Sequence, residues 1–201
     1  MTVDPDRGVE VVLPRRSPER QAERVVRELG PWIERRLAAQ ERARAAVQGP
    51  PGTVPYLGEA LTLVPEPGRM RAHRRGDDLL VPAEDPGPAL ERWYRRAARA
   101  EIAPRAEAAA AAVGGRVTGL TIRAQRTRWG SCSPTGALSF NWRLLLAPEP
   151  VLDYVVIHEA CHLKVADHSQ RFWALVGRHC PDWRAQARWL RRNGSALTLA
   201  L

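Results

Sequence analysis

Hydrophobic residues near the amino terminus recur with the period of a helix. The residues that share this phase are Val25, Val26, Leu29, Trp32, Ile33 and Leu37. Ser17 and Pro18 indicate where the helix begins, because a serine side chain can cap the first turn and proline suits its first position. Gly30-Pro31 interrupts the run without shifting its phase. We therefore predict one kinked helix that ends near Ala46, preceded by a short strand at residues 9–13.

Two apolar stretches that follow, residues 56–64 and 79–81, have the composition of β-strands. The arginine-rich residues 69–75 between them are expected to form a loop or a hairpin. The polar residues 83–88 contain glycine and prolines and are the best candidate for a boundary within the chain.

Helical periodicity returns in the second half of the chain. A helix is expected to begin at Ala89, to be kinked or divided at Pro104, and to end at Gly114-Gly115. A last helical stretch at residues 170–191 contains Pro181, so we expect it to form two pieces.

A β-hairpin is predicted between these two helical regions. Residues 117–123 alternate between apolar and polar, residues 133–136 form a Ser-Pro-Thr-Gly turn, and residues 137–146 are the expected return strand. The return strand leads into the mostly apolar residues 151–157, which follow two prolines and are typical of a buried helix.

This apolar helix continues into the motif His-Glu-x-x-His. His158 and His162 are four residues apart, so on a helix they share one face and can bind one metal ion. Glu159 lies about 100° round the helix from His158, which suits a base that reaches a metal-bound water better than it suits a ligand. The pattern is that of a zinc hydrolase.

The third metal ligand is less strictly fixed by the sequence. His168 follows His162 by six residues, with room for a turn between them, and it is the favoured candidate. No glutamate follows Glu159, which excludes the zinc hydrolases that use a downstream glutamate. Asp182 and His179 remain as alternatives.

The three cysteines, Cys132, Cys161 and Cys180, contain no Cys-x-x-Cys pair, and their odd number does not fit a disulfide framework. This fits a protein in the reducing cytoplasm. We interpret Cys132 and Cys161 as packing residues, although Cys132 on the hairpin could approach the metal or the substrate. Neither an export signal nor a membrane-spanning segment is expected, because no apolar run is long enough.

The net charge of +9 arises mainly from residues 116–201, the half that contains the metal motif. This basic half could attract nucleic acid or an acidic substrate. The general abundance of arginine in the chain is the simpler explanation.

Several segments of the sequence resemble the YgjP-like metallopeptidases of bacteria, which belong to the zincin group together with the SprT-like and WLM proteases. The segments are Arg128–Ser133, Asn141, Asp153–Leu163, His168–Trp173 and Cys180–Trp183. The resemblance is specific over about residues 117–190 and weaker upstream.

The resemblance implies an α+β fold with a small zincin-like core. A backing helix would pack behind the metal helix, and an antiparallel sheet would lie above the cleft with an edge strand facing the substrate. The expected division is an N-terminal α/β arm at residues 1–86, the metallopeptidase core at residues 87–194 and a C-terminal tail at residues 195–201.

The resemblance also implies the roles of the site residues. His158, His162 and His168 would bind one Zn²⁺ per chain, and Glu159 would be the general base that takes a proton from a metal-activated water. The expected activity is hydrolysis of peptide bonds in a peptide or protein substrate.

The substrate contacts are predicted less directly. The backbone of residues 137–142 is expected to bind an extended substrate as an added strand. Asn141 and Arg128 are candidates for contacts to the substrate or to the oxyanion, and a structural role that ties the hairpin to the metal helix is the alternative for both.

Two other functions fit the same sequence features. A metal site in a basic cleft could hydrolyse nucleotides or other phosphoesters. A basic nucleic-acid-associated protein with a structural metal is the non-catalytic alternative.

Overall fold

The computed structural model describes residues 2–4, 8–11, 13, 18, 20–125 and 128–199. The strands are β1 Thr2–Asp4, β2 Gly8–Glu10, β3 Thr53–Tyr56, β4 Glu59–Glu66, β5 His73–Arg75, β6 Asp78–Pro82, β7 Gly119–Arg123, β8 Gly130–Cys132 and β9 Ala137–Asn141. The helices are α1 Arg20–Glu28, α2 Gly30–Val47, α3 Pro86–Ala112, α4 Glu149–Cys161, α5 Gln170–His179 and α6 Trp183–Asn193. Short 3₁₀ helices occupy Trp142–Leu146 and Gly194–Ala196.

The N-terminal helical region agrees closely with its hydrophobic pattern. Helices α1 and α2 meet at Leu29, whose backbone leaves the helical conformation for one residue. The hydrogen bonds nevertheless continue across it, from the amide of Leu29 to the carbonyl of Val25 and from the amide of Ile33 to the carbonyl of Leu29. The predicted cap, Ser17, lies outside the described residues, and the expected strand at residues 9–13 is instead β2, paired antiparallel with β1.

A four-stranded sheet follows in the order β3-β4-β6-β5, with β4 and β6 parallel and the two outer pairs antiparallel. The single strand predicted at residues 56–64 is wrong, because a tight turn divides it. Leu57 and Gly58 both have positive φ angles, 53° and 94°, as the two central residues of such hairpin turns require. The arginine-rich residues 69–75 include β5, which forms a hairpin with β6.

The turn at Leu57 connects this sheet to the start of the metal helix. The Leu57 amide donates to the carbonyl of Leu145 at 2.7 Å, and the Glu149 amide donates to the carbonyl of Leu57 at 3.3 Å. The hydroxyl of Tyr94 on α3 also donates to the carbonyl of Pro55 at 2.5 Å. The sheet, α3 and the first turn of α4 are thus joined by hydrogen bonds between residues distant in sequence.

Helix α3 forms the back of the core. It is one helix that includes Pro104, so the expected division there does not occur. Gly114 ends it with a φ of 72°, and the Gly115 amide donates to the carbonyl of Ala110. The buried face of α3 carries Ala89, Leu90, Trp93, Tyr94, Ala98, Ile102, Ala106 and Ala110. Its alanines allow α4 to approach closely.

The second sheet has the order β7-β9-β8. Strand β8 pairs antiparallel with β9 through the predicted turn, but β7 pairs parallel with β9. The expected antiparallel sheet is therefore wrong in this pairing. The Ser-Pro-Thr-Gly turn is a local signal that joins β8 to β9, and it specifies nothing about β7.

The expected return strand at residues 137–146 ends at Asn141. The Asn141 side chain accepts a hydrogen bond from the Arg143 amide and so caps the 3₁₀ helix that follows. Because β9 is paired on both sides, the backbone of residues 137–142 has no free edge, and the predicted binding of an extended substrate there is wrong.

Helix α4 lies between α3 and the β7-β9-β8 sheet, and α5 and α6 pack against it. The fold is α+β and compatible with a small zincin-like core, as predicted. Helices α5 and α6 are the two pieces expected on either side of Pro181. None of the described helices is both long and apolar enough to span a membrane. The division of the chain at residue 86 stays a prediction.

Candidate metal centre

Helix α4 presents its last turns to a groove. Upstream, Val151, Leu152, Val155 and Val156 are buried in the core and fix the rotation of the helix. The motif histidines are only partly buried, which leaves their rings accessible from the groove. His162 is the residue that ends the helix.

The three predicted histidine ligands come together. His158, His162 and His168 each offer a ring nitrogen, and these three nitrogens lie within 4.8 Å of one another. The Nε2 atoms of His158 and His168 are 3.1 Å apart. His168 reaches this position from the loop between α4 and α5. Three imidazole nitrogens that converge on one point are the donor set that zinc prefers in catalytic sites.

The contact of His162 with the backbone defines which of its nitrogens faces the cluster. Its Nδ1 is 3.0 Å from the carbonyl oxygen of Val165. A carbonyl can only accept, so Nδ1 carries the proton and Nε2 keeps a free lone pair. This is the orientation by which proteins commonly prepare a histidine for a metal.

Burial keeps two of the imidazoles neutral. Desolvation, together with smaller contributions from charge repulsion by His162 and His168, lowers the pKa of His158 to about 4. Desolvation also lowers the pKa of His162, although its bond to Val165 opposes the shift. A neutral imidazole is the form that binds a metal, so the two rings are ready for a cation at neutral pH.

Phe172 of α5 forms an apolar floor under all three histidines. It is fully buried, and its ring centroid lies 4.9, 4.3 and 4.8 Å from those of His158, His162 and His168. It stacks on His162 and meets the other two rings edge to face. The buried ring limits the directions in which the imidazoles can turn.

Glu159 is buried beside the cluster, with a relative exposure of 6%. Its carboxyl lies over Gly130 of β8, where a Cβ atom would come within 2.6 Å of Cγ and Oε1 of Glu159. Only glycine leaves room for the carboxyl at this position. Desolvation raises the pKa of Glu159 to about 7, and the positive charge of Arg128 opposes the rise. A carboxyl with a pKa near neutrality can both accept and return a proton.

The groove has two walls, and its volume is about 490 Å³. Gly130, Ser131, Cys132, Ser133 and Pro134 line one side, and His158, Glu159, His162, Ala166 and His168 line the other, with Arg128 also at the groove. The wall opposite the histidines is therefore strand β8 and the turn that follows it.

Asn141 and Arg128, the two predicted substrate contacts, have different surroundings. Asn141 is buried, and its Nδ2 donates to the carbonyl of Gln125 at 2.6 Å, with the carbonyl of Arg128 at 3.5 Å. These bonds indicate a structural role that ties the loop before β8 to the end of β9, whereas the structural role expected from the sequence was a tie between the hairpin and the metal helix. Arg128 is exposed and lines the groove, so a contact to substrate stays a prediction for it.

The competing ligands lie apart from the histidine cluster. His179 lines a separate cleft between α3 and α4, together with Arg105 and Asp153. Among the described residues, neither His179 nor Asp182 belongs to a group that could hold a metal ion. Cys161 is fully buried, whereas Cys132 lines the groove near Glu159, whose charge adds to burial in raising the pKa of the Cys132 thiol.

Sequence reasoning missed two features of the site. The contact between Gly130 and Glu159 joins residues far apart in the chain, and only the position of glycine within the Trp-Gly-Ser-Cys segment hinted at it. The aromatic floor was also missed, because helical periodicity within residues 170–191 does not show which side chains Phe172 contacts.

Comparison with known proteins agrees with this geometry. A family model described as YgjP-like, metallopeptidase domain, matches residues 1–193. No curated protein and no solved structure matches the chain.

The close approach of Gly130 to Glu159 predicts a specific loss of stability. Gly130→Ala should lower the free energy of unfolding by about 1–3 kcal/mol, because the new methyl group overlaps the buried carboxyl. Urea unfolding of the metal-free protein measures the change. Gly119→Ala in the same sheet is the matched control, since its Cβ would meet only Ala137 at 3.9 Å. In a Glu159→Ala background the penalty should vanish, and a penalty that persists there would contradict the assignment.

The raised pKa of Glu159 predicts a pH-dependent effect of Glu159→Gln on the metal-free protein. Because the pKa of Glu159 is higher in the folded protein than in the unfolded chain, protonation of this carboxyl favours folding. Its contribution to the free energy of unfolding is complete below the unfolded pKa of about 4.5 and is lost as the pH rises through the folded pKa of about 7. Glutamine does not titrate. The free energy of unfolding of the variant, relative to that of wild type, should therefore rise by about 2–3 kcal/mol between pH 5 and pH 8. Urea unfolding at both pH values measures the difference, and a difference that does not change with pH would refute the prediction.

Proposed function

The chain belongs to the YgjP-like metallopeptidase family, and on this premise we propose that it is a zinc-dependent hydrolase of peptide bonds. The observation that carries the proposal is the convergence of His158, His162 and His168 beside a buried Glu159, in a groove bordered by a β-strand. This arrangement supplies three metal ligands, a proton acceptor and a surface for an extended chain within one site.

The residues present fit a zinc ion. The three histidines would hold it through ring nitrogens, two of which burial keeps neutral, and the tautomer of His162 is compatible with this. A bound zinc ion would supply Lewis acidity, polarising the scissile carbonyl and lowering the pKa of a water molecule at its open position to about 7.

Glu159 moves the proton in the proposed reaction. One of its carboxylate oxygens takes a proton from the attacking water and then passes it to the nitrogen of the leaving amine. Burial favours this exchange, because it holds the pKa of the carboxyl at about 7. Arg128 supports the ionised form of Glu159, and its exposed position at the groove supports the proposal that it contacts an acceptor group of the substrate.

Strand β8 is the proposed substrate-binding edge, replacing residues 137–142. The Asn141 amide donates to the Trp129 carbonyl, and the Ser133 amide donates to the Ala137 carbonyl. In an antiparallel ladder, residue pairs that exchange hydrogen bonds alternate with pairs that do not. The amide and carbonyl groups of Gly130 and Cys132 therefore point away from β9. A peptide could add to this free edge as an extra strand.

Metal content and turnover test the proposal together. Purified wild-type protein should contain about one zinc per chain by elemental analysis. His168→Ala should lose it or bind it much more weakly, whereas His179→Ala is the matched control and should keep it. Zinc that stays fully bound without His168 would contradict the three-histidine site.

Glu159→Gln should keep the zinc, but its rate of peptide hydrolysis should fall by a factor of at least about 10², because the proton acceptor is gone. A peptide library with cleavage scored by mass spectrometry provides the assay, and Glu41→Gln on the exposed face of α2 is the control. Full activity of Glu159→Gln would refute the mechanism. Turnover of nucleotides but not of peptides, by the same preparation, would favour the phosphohydrolase.

A second candidate function, association with nucleic acid, is favoured by helix α6. Its exposed arginines are Arg184, Arg188, Arg191 and Arg192. Because they are spaced by four and seven residues, they lie on one side of the helix. None of them forms an ion pair with another residue of the part of the chain that the structure describes. Guanidinium groups that form no ion pair and lie along one helix face can bind the phosphates of a nucleic-acid backbone.

Replacement of Arg188, Arg191 and Arg192 with glutamine should weaken binding to duplex DNA and reduce its dependence on salt, because fewer phosphates are neutralised. Fluorescence anisotropy at several salt concentrations measures both. The control replaces Arg71, Arg92 and Arg96, three exposed arginines elsewhere, and removes the same charge. Equal losses of DNA affinity in the two triple variants would show that net charge alone explains the weaker binding, and would contradict a site on α6.

A further inference from the structure

His168 is positioned differently from the other two histidines. His158 is held on helix α4, although its buried Nδ1 has no hydrogen-bond partner among the described residues, and His162 is oriented by its bond to Val165. His168 is exposed and lies in a loop, and no described residue forms a hydrogen bond with its Nδ1. The loop itself is ordered by a bond from the Ser169 amide to Oδ1 of Asp167, which acts on the backbone rather than on the ring.

A column of neighbouring side chains extends from the His168 ring to the surface. The ring centroid of Trp173 lies 5.6 Å from that of His168, at an interplanar angle of 36°. Trp183 stacks on Trp173 with a centroid distance of 4.3 Å and an angle of 16°. The guanidinium carbon of Arg184 lies 4.5 Å from the Trp183 ring centroid. The column thus comprises His168, Trp173, Trp183 and Arg184.

Two helices provide this column. Trp173 is in the first turn of α5, where its amide donates to the carbonyl of Ser169, next to His168. Trp183 is the first residue of α6, and its amide donates to the carbonyl of Cys180. The turn between α5 and α6 therefore brings the second tryptophan back onto the first. The place of the His168 ring depends on contact between two helices that carry no metal ligand.

We propose that Trp183, acting through Trp173, is a positioning residue that keeps the His168 imidazole turned toward His158 and His162. The ring of Trp173 also faces His158 at 5.7 Å, so it borders two ligands at once. Without Trp183 behind it, Trp173 can rotate away, and the His168 ring can turn into solvent. This inference rests on the proposed zinc site, and it names a residue that does not itself touch the ligands.

The test measures zinc affinity by competition with a chromophoric chelator. Trp183→Leu, which keeps an apolar side chain but removes the stacked ring, should weaken zinc binding about tenfold, within the range expected when the support of a ligand is lost. Trp183→Phe should restore most of the affinity. The visible absorption of the cobalt-substituted protein should change in Trp183→Leu and not in Trp183→Phe, because the coordination geometry changes.

The same measurement in a His168→Ala background separates positioning from general damage. There, Trp183→Leu should have no further effect, since the ring that it positions is absent. Trp189→Leu, on the same helix but outside the column, is the control and should bind zinc like wild type. If Trp183→Leu does not fold, Trp183→Met, whose longer side chain fills more of the space without a ring, is measured in the same cycle.

Three results would overturn the inference while leaving the proposed function intact. They are unchanged zinc affinity in Trp183→Leu, an equal loss in the His168→Ala background, and an equal loss in Trp189→Leu. Failure of the wild-type protein to bind zinc would refute the proposed function, and this inference with it.

Discussion

The burial of helix α4 determines where His158, Glu159 and His162 can lie. The helix packs against α3 on one side and against the β7-β9-β8 sheet on another, with α5 and α6 completing its surroundings. Its apolar residues before the motif are inaccessible to solvent, so the helix cannot rotate without exposing them. The motif residues take the only orientation that this packing leaves. Arg105 of α3 strengthens the attachment of α4 through ion pairs with Glu149 and Asp153, and a third ion pair with Glu101 of its own helix holds the guanidinium in place.

The same burial sets the chemistry of the site. Removing water from around the histidines favours their neutral forms, and removing it from around Glu159 favours its protonated form. Both shifts come from one cause, yet they suit two different proposed roles, one of binding a cation and one of exchanging a proton. Arg128 limits the second shift, because its charge favours the ionised carboxyl.

The parts of this site that the sequence could predict are those set by local spacing. His158 and His162 follow from helical geometry, and α5 and α6 follow from the proline between them. The parallel pairing of β7 with β9 and the contact of Glu159 with Gly130 could not be predicted, because each depends on residues that meet only in the folded chain. The Leu57-Gly58 turn was missed for a different reason. A leucine with positive φ contradicts the usual preference, and the hydrogen bonds of Leu57 to Leu145 and Glu149 compensate for it.

These hydrogen bonds of Leu57 also bear on how the protein folds. The three proposed metal ligands lie close together in sequence, but the helix that orients two of them begins where the Leu57 turn contacts it. That contact closes a long loop, which is entropically unfavourable until the two sheets and α3 have formed. Formation of the metal centre is thus expected to be a late event in folding. In this respect the chain differs from small zinc modules, in which the ion itself organises a short peptide.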